Sequence, residues 1–365
     1  MTLFAKRFCL LLMLALASLC VHAQDLDFHA PASATDASAA AAMRDLAGRI
    51  LPVYQENDPE RYLSNLSALQ MVSGDYSSAY ASRQTLRDRR KNADAGRPVG
   101  KAMLYDIYAH ARAIEADTHV PFPQAFTQAF RDMVPRLNDR DAFALAGWFA
   151  TPLSALQDDL QKTFDQRRAK GSISIPDAVD LIWAYFAFEA YRSCGALVGP
   201  LNAEDDRRRY IAEDNVQIMT ADGATLSAML VRPRSAPKPL PALLEVTISD
   251  SQNYAHEAAA HGYVGVVAYA RGTRGSADNF VPFQYDGQDA REVINWIAKQ
   301  PWSDGRVGMY GSGYNGFAAW AAAKPLPVAL KAIATSDATA PGVDVPMAGN
   351  IFRNSAYRWA FHAMN

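Results

Sequence analysis

The sequence predicts an all-α half followed by an α/β half with a mostly parallel sheet, and three observations carry that division. Between Met43 and Cys194 apolar residues recur at helical spacing, broken at glycine and proline. From Val216 the period becomes that of strands: Val216 to Thr220 and Thr225 to Val231 flank Asp222-Gly223, a hairpin signal. Leu240 to Ile248 and Val264 to Tyr269 are near-continuous apolar runs separated by a helical segment, as expected of strands covered on both faces.

The chain opens on an address. Lys6 and Arg7 precede an apolar run from Phe8 to Leu19, and Val21-His22-Ala23 offers small residues to a signal peptidase, so residues 1–23 are expected to be a signal peptide cleaved before Gln24. The run is shorter than the roughly 20 residues a bilayer requires. The expected product is exported, periplasmic or secreted, with no membrane span after cleavage. Leu181 to Phe188 is apolar all round, but its eight residues suit a buried core helix. Residues 24–42, rich in Ala, Ser and Asp without periodicity, read as a flexible leader.

Residues 43–205 form the expected helical domain. Breaks at Gly74-Asp75, Gly96-Arg97-Pro98, Pro121, Thr151-Pro152 and Gly171 to Pro176 divide it into about six to eight helices. Tyr62 to Gln70 and Tyr76 to Arg87, around Gly74-Asp75-Tyr76, read as a helical hairpin with Ala79 as its small contact residue. Such a domain serves as a lid or packing layer, or binds a protein partner or substrate.

Residues 206–365 carry the α/β pattern. Tyr254 to His261 and Glu292 to Lys299 are expected helices, the second with Val293, Trp296 and Ile297 on one face. A strand, a glycine-crowded turn and a small-residue helix then run from Arg306 through Lys324, and Leu330 to Thr335 is a further strand. The tail is aromatic at Phe352, Tyr357, Trp359 and Phe361, residues expected to pack on the helical half or to limit solubility.

Composition excludes several classes. Half of the 365 residues are hydrophobic and the net charge is -2, which suits a globular chain and gives no broad attraction to nucleic acid. Arg207-Arg208-Arg209 and Arg87 to Lys91 read as solvated helix faces, so no nucleic-acid partner is expected. Cys9 and Cys20 leave with the signal, and Cys194 alone cannot form an internal disulfide. Seven scattered histidines and no H-E-x-x-H give no metal site, and no cofactor is expected.

The chemistry gathers at Gly311-Ser312-Gly313-Tyr314-Asn315-Gly316, where the layout is that of a nucleophile elbow. This frame, with its lead Gln300-Pro301-Trp302-Ser303-Asp304-Gly305-Arg306-Val307-Gly308-Met309-Tyr310, resembles the cocaine-esterase-like or Xaa-Pro dipeptidyl-peptidase-like group of α/β-hydrolases, whose elbow reads G-x-S-Y-x-G. The resemblance covers the chain from about Asn215 onward. It implies a partial α/β-hydrolase fold and acyl transfer on a small ester or peptide by a serine, an acid and a histidine. Gly313 occupies the serine's position. The acid and histidine would fall beyond Asn365, so impaired catalysis is expected. Ser312 is the candidate substitute nucleophile, one position off the frame, and Asp337 with His362 is the local alternative for the other two. The resemblance also makes the Tyr314 N–H an oxyanion donor, puts Ser249 where relatives carry an oxyanion tyrosine, and gives Arg271, in Tyr269-Ala270-Arg271-Gly272, an acidic partner bracing the site.

Two other functions are open at this stage. The chain could be a non-catalytic binding or scaffold protein working through its helical domain. Gly311, Gly313 and Gly316 also spell G-x-G-x-x-G after a strand, with Asp337 downstream, but a dinucleotide fingerprint normally sits in the first βαβ unit and this turn follows several strands.

Overall fold

The computed structural model describes residues 25–93, 100, 102–168, 170–249 and 253–364, so the expected signal peptide lies outside the described residues. The chain divides into two compact units, residues 1–136 with 144–201 and residues 137–143 with 202–365.

The first unit is helical. Its helices are α1 (Ala37–Ile50), α2 (Pro59–Ser73), α3 (Tyr76–Ala93), α4 (Ala102–Thr118) and α5 (Phe122–Met133). After them come α6 (Asp139–Phe149), α7 (Leu153–Arg168) and α8 (Ile175–Arg209), of which residues 139–143 and 202–209 are assigned to the second unit. The α2–α3 hairpin forms as its sequence suggests. Asp58 caps α2 by accepting from the Arg61 N–H at 2.7 Å, Gly74 ends it at φ 96°, and Ala79 is fully buried. Met43, Leu46, Ile50, Leu69, Leu86, Leu104, Ile107 and Phe126 supply the core. Within it the Arg83 Nε donates to Asp106 Oδ1 at 2.6 Å, a buried pair that also ties the Ala102 carbonyl to Arg83. Leu181, Ile182, Phe186 and Phe188 are buried in α8, and among the described residues no helix is long and apolar enough to cross a membrane.

The segment read as a leader is built into this unit from Asp25 onward. Strand β1 (Leu26–Asp27) pairs antiparallel with β2 (Ser172–Ile173), Phe28 and Ala34 are buried, and α1 starts at Ala37. An alanine run has no apolar period to detect, yet alanine is the strongest helix former. Pro200 lies inside α8, and the division between the units falls two residues later, between Leu201 and Asn202.

The second unit holds a six-stranded sheet of β3 (Tyr210–Met219), β4 (Thr225–Pro233), β5 (Leu240–Thr247), β6 (Val264–Tyr269), β7 (Ser303–Ser312) and β8 (Leu330–Ser336). The spatial order is β3-β4-β6-β5-β7-β8. The first two pairings are antiparallel and the remaining three parallel, the arrangement of an α/β-hydrolase sheet. Strand β3 starts six residues before its apolar alternation, because a bulge between Glu213 and Val216 and the polar Glu213-Asp214-Asn215 conceal the period.

Helix α9 (Asn253–Ala260) packs on one face, where Ala255 and Ala259 meet Met229, Val231, Val267 and Tyr269. Helices α10 (Asp286–Ala298) and α11 (Gly313–Ala323) cover the other, with Val293, Ile294, Ile297, Ala318, Ala319 and Ala322 against Leu244, Val246, Val307 and Met309. A tail helix, α12 (Asn354–Met364), was not foreseen. Its Trp359 ring lies 5.7 Å from the rings of both Phe283 and Tyr314, inside the same unit. Beside β8, Leu326 and Val328 are 83% and 88% exposed, and no strand pairs with the outer edge of β8 among the described residues.

Candidate active site

Strand β7 ends at Ser312 and α11 begins at Gly313, with no loop between them. Ser312 is extended at φ -119° and ψ 152°, and Gly313 then flips to φ 55°, the left-handed region where side chains carry strain. This is the apex of an elbow. A Cβ built on Gly313 would meet nothing within 4 Å, so the apex has room for a side chain. The flanking glycines have none: a Cβ on Gly311 would stand 2.5 Å from the Asn315 carbonyl carbon, and one on Gly316 would stand 2.9 Å from Ala338 Cβ. The turn thus has the close strand–helix crossing of an elbow, around an apex that carries only a hydrogen atom. The loop after β8 fastens it, as the Thr339 N–H donates to the Gly313 carbonyl at 3.0 Å.

The two residues after the apex are each anchored to a buried carboxyl group, on opposite faces of the sheet. The Tyr314 hydroxyl donates to Asp286 Oδ2 at 2.8 Å and accepts from the Phe283 N–H at 3.2 Å. Burial pushes the Asp286 carboxyl up to about 6, with the Tyr314 bond opposing the shift, and its Oδ1 is buried without a partner. Burial likewise raises the Tyr314 hydroxyl, which stays protonated. The Asn315 Nδ2 donates to Glu245 Oε1 at 2.8 Å, and burial pushes Glu245 up to about 7. Neither acid was singled out from the sequence. The signal for Glu245 was a lone charge inside the apolar run Leu243-Leu244-Glu245-Val246.

Arg271 has the acidic partners the resemblance implies. Its Nη2 donates to Asp289 Oδ1 at 2.7 Å and its Nε to Asp289 Oδ2 at 2.8 Å, a bidentate pair in which both residues are buried. Asp222, from the β3–β4 turn, accepts from Nη2 as well, and the guanidinium stacks 4.4 Å from the Tyr285 ring centre. This brace joins the hairpin turn, the loop after β6 and the start of α10.

The other expected residues are spread around the carboxyl end of the sheet. Ser312 is exposed, and its hydroxyl lies 3.5 Å from Ser336 Oγ on β8, away from the apex. Ser249 follows β5 at the same end, is exposed, and donates its own N–H to Thr247 Oγ1. Asp337 sits at the end of β8 at φ 47°, exposed, as a turn residue. The His362 side chain lies outside the described residues, so no pairing of Asp337 with a histidine is seen. The glycine turn follows the fifth strand of its sheet, not the first. Among the described residues no group of three or more His, Cys, Asp and Glu could hold a metal.

Residues 222–365 match the sequence model of the X-Pro dipeptidyl-peptidase (S15) family. The matched segment includes every residue of the elbow and both carboxyl anchors. The cocaine esterase of Rhodococcus sp. (strain MB1 Bresler) is 37% identical over 150 residues, which cover 38% of this chain and 26% of that protein. Among solved structures, an α-amino acid ester hydrolase matches at 26% identity over 41% of this chain and 29% of its own, with a TM-score of 0.38. A CocE/NonD family hydrolase from Staphylococcus aureus matches at 23% over 34% and 27%, with a TM-score of 0.31. The chain spans about a quarter of the length of the esterase it matches.

Proposed function

We propose that the second unit derives from a serine hydrolase acting on small esters or peptides, and that Gly313 leaves this chain without the acyl-transfer step. One observation carries the reading: the left-handed apex, its room for a side chain and its crowded glycine neighbours are all present, while the attacking hydroxyl is absent. The magnitudes rank the substitutions. Loss of one oxyanion donor, the change at Ser249, costs about 100- to 1000-fold in rate. Loss of the nucleophile costs on the order of a million-fold. Ser312 does not restore it, because its extended backbone turns the hydroxyl toward Ser336.

A fluorophosphonate probe and p-nitrophenyl esters test this directly. The expected result is no label on the purified chain and no turnover above buffer. Labelling at Ser312, or turnover abolished by Ser312→Ala, would overturn it. We also propose that residues 1–23 direct export, for which the expected N-terminus of the protein recovered outside the cytoplasm is Gln24.

A further inference from the structure

Glu245 is the sixth of the eight residues of β5, with Leu244 and Val246 as core neighbours, and it is 3% exposed. Its Oε1 accepts from Asn315, while its Oε2 is buried with no hydrogen-bond partner. A buried acid surrounded by hydrocarbon would gain a cation or lose its charge. Among the described residues Glu245 makes no ion pair with a cation. Across the sheet stand Tyr310 on β7, whose hydroxyl donates to the Tyr254 carbonyl at 3.3 Å, and Tyr269 on β6, whose hydroxyl is buried and unpartnered. From α9 comes Glu257, a second acid, together with Tyr254. Asp214 is a third acid acting on Tyr269, His256 lies edge-on to Tyr210, and Arg274 lies over the ring of Tyr269.

Asn315 links this acid to the elbow. It follows Tyr314 directly, and its backbone and Cβ lie so close to Gly311 that a methyl group there would overlap them. The Glu245–Asn315 bond therefore fixes the point where the helix crosses the strand, one residue beyond the N–H that an oxyanion would use.

We propose that Glu245 is a positioning residue of the elbow that works as a neutral carboxylic acid, so that its ionisation loosens the first turn of α11. In the neutral form Oε1 takes the Asn315 amide and Oε2 carries the proton. In the ionised form the Asn315 bond offsets only part of the cost of an anionic oxygen buried without a partner, and water entering to solvate it competes for that bond. Burial holds the carboxyl at about 7, which puts the change within the physiological range. What the turn serves rests on the hydrolase reading; its dependence on protonation does not.

The experiment is hydrogen–deuterium exchange of the intact chain at pH 5.5 and 8.5, corrected for intrinsic rates and read on peptides covering Gly313 to Phe317. The expected protection in the wild type is at least about 10-fold lower at pH 8.5, the ratio set by a group that is neutral at the first pH and ionised at the second. Glu245→Gln, which keeps the acceptor and cannot ionise, is expected to remove most of that drop and to leave only the part that follows Asp286, whose carboxyl beneath Tyr314 is raised to about 6. Asn315→Ala is expected to lose the low-pH protection at both. A wild type with equal protection at the two pH values, or a Glu245→Gln variant with the full wild-type drop, overturns the proposal. Should that variant fail to fold, carbon-13 titration of the Glu245 carboxyl in the wild type decides: a midpoint near 7 supports the proposal and one near the ordinary 4.5 overturns it. None of these readouts requires turnover, so a working hydrolase would leave them unchanged.

Discussion

The Tyr314 hydroxyl is wedged between the Phe283 N–H and Asp286 Oδ2, joining the residue after the apex to the loop that leads into α10. Tyr314→Phe strips Asp286 Oδ2 of its side-chain donor, beside an Oδ1 that is already buried without a partner, and takes the hydroxyl acceptor from the Phe283 N–H. The expected loss is about 1–3 kcal/mol, read as a lowered midpoint in urea with an unchanged slope. A variant as stable as wild type would mean that the bond contributes nothing net.

The glycines of the elbow are not equivalent. Gly313→Ser meets no atom and carries only the cost of a left-handed side chain, about 1–2 kcal/mol. Gly311→Ala drives a methyl group into the Asn315 backbone, where nothing flexible can give way, so its loss is expected to exceed that of Gly313→Ser clearly. Paired thermal melts of the two variants check the order.

Arg271→Met leaves Asp289 as a buried carboxyl with its bidentate partner gone. Breaking such a pair from one side costs about 3–5 kcal/mol. Arg271→Lys retains the charge but cannot reproduce the planar fork that reaches Asp289 and Asp222 together, and is expected to fall between Met and wild type. Denaturant titration of the three proteins tests the ranking.

Stability should depend on pH through Asp286. Its carboxyl is raised from 3.8 to about 6 on folding, so the folded state binds the proton more tightly than the unfolded chain. Its contribution is complete below about pH 4 and is lost as pH rises through 6. Asp286→Asn is expected to flatten that decline between pH 4 and 7. An unaltered pH profile in this variant would remove Asp286 as its source.

Cys194 is 1% exposed, and burial pushes its thiol up to about 12. Without thiolate or access it should resist maleimides in the folded protein and react fully in denaturant. Fast labelling under native conditions would show that α8 opens.

How much of this was legible depends on period and register. Strand β6 was marked out by six apolar residues covered on both faces, and the elbow by its glycines, because a close crossing and a left-handed turn each demand that residue. The helix over Ala37 to Ala42 and the start of β3 were hidden, since neither an alanine run nor Glu213-Asp214-Asn215 shows amphipathic alternation. At the site, Gly313 and the partnership of Arg271 could be named in advance. Glu245 and Asp286 could not, because their roles come from strands and helices distant in sequence being brought together beneath the turn.

Trp359 turns this arrangement into a natural optical gauge. With its indole 5.7 Å from both Phe283 and Tyr314, withdrawal of α12 would pass the ring from an aromatic to an aqueous neighbourhood and shift its emission to the red. A difference spectrum against Trp359→Phe would therefore report movement of the tail over the elbow without any attached dye.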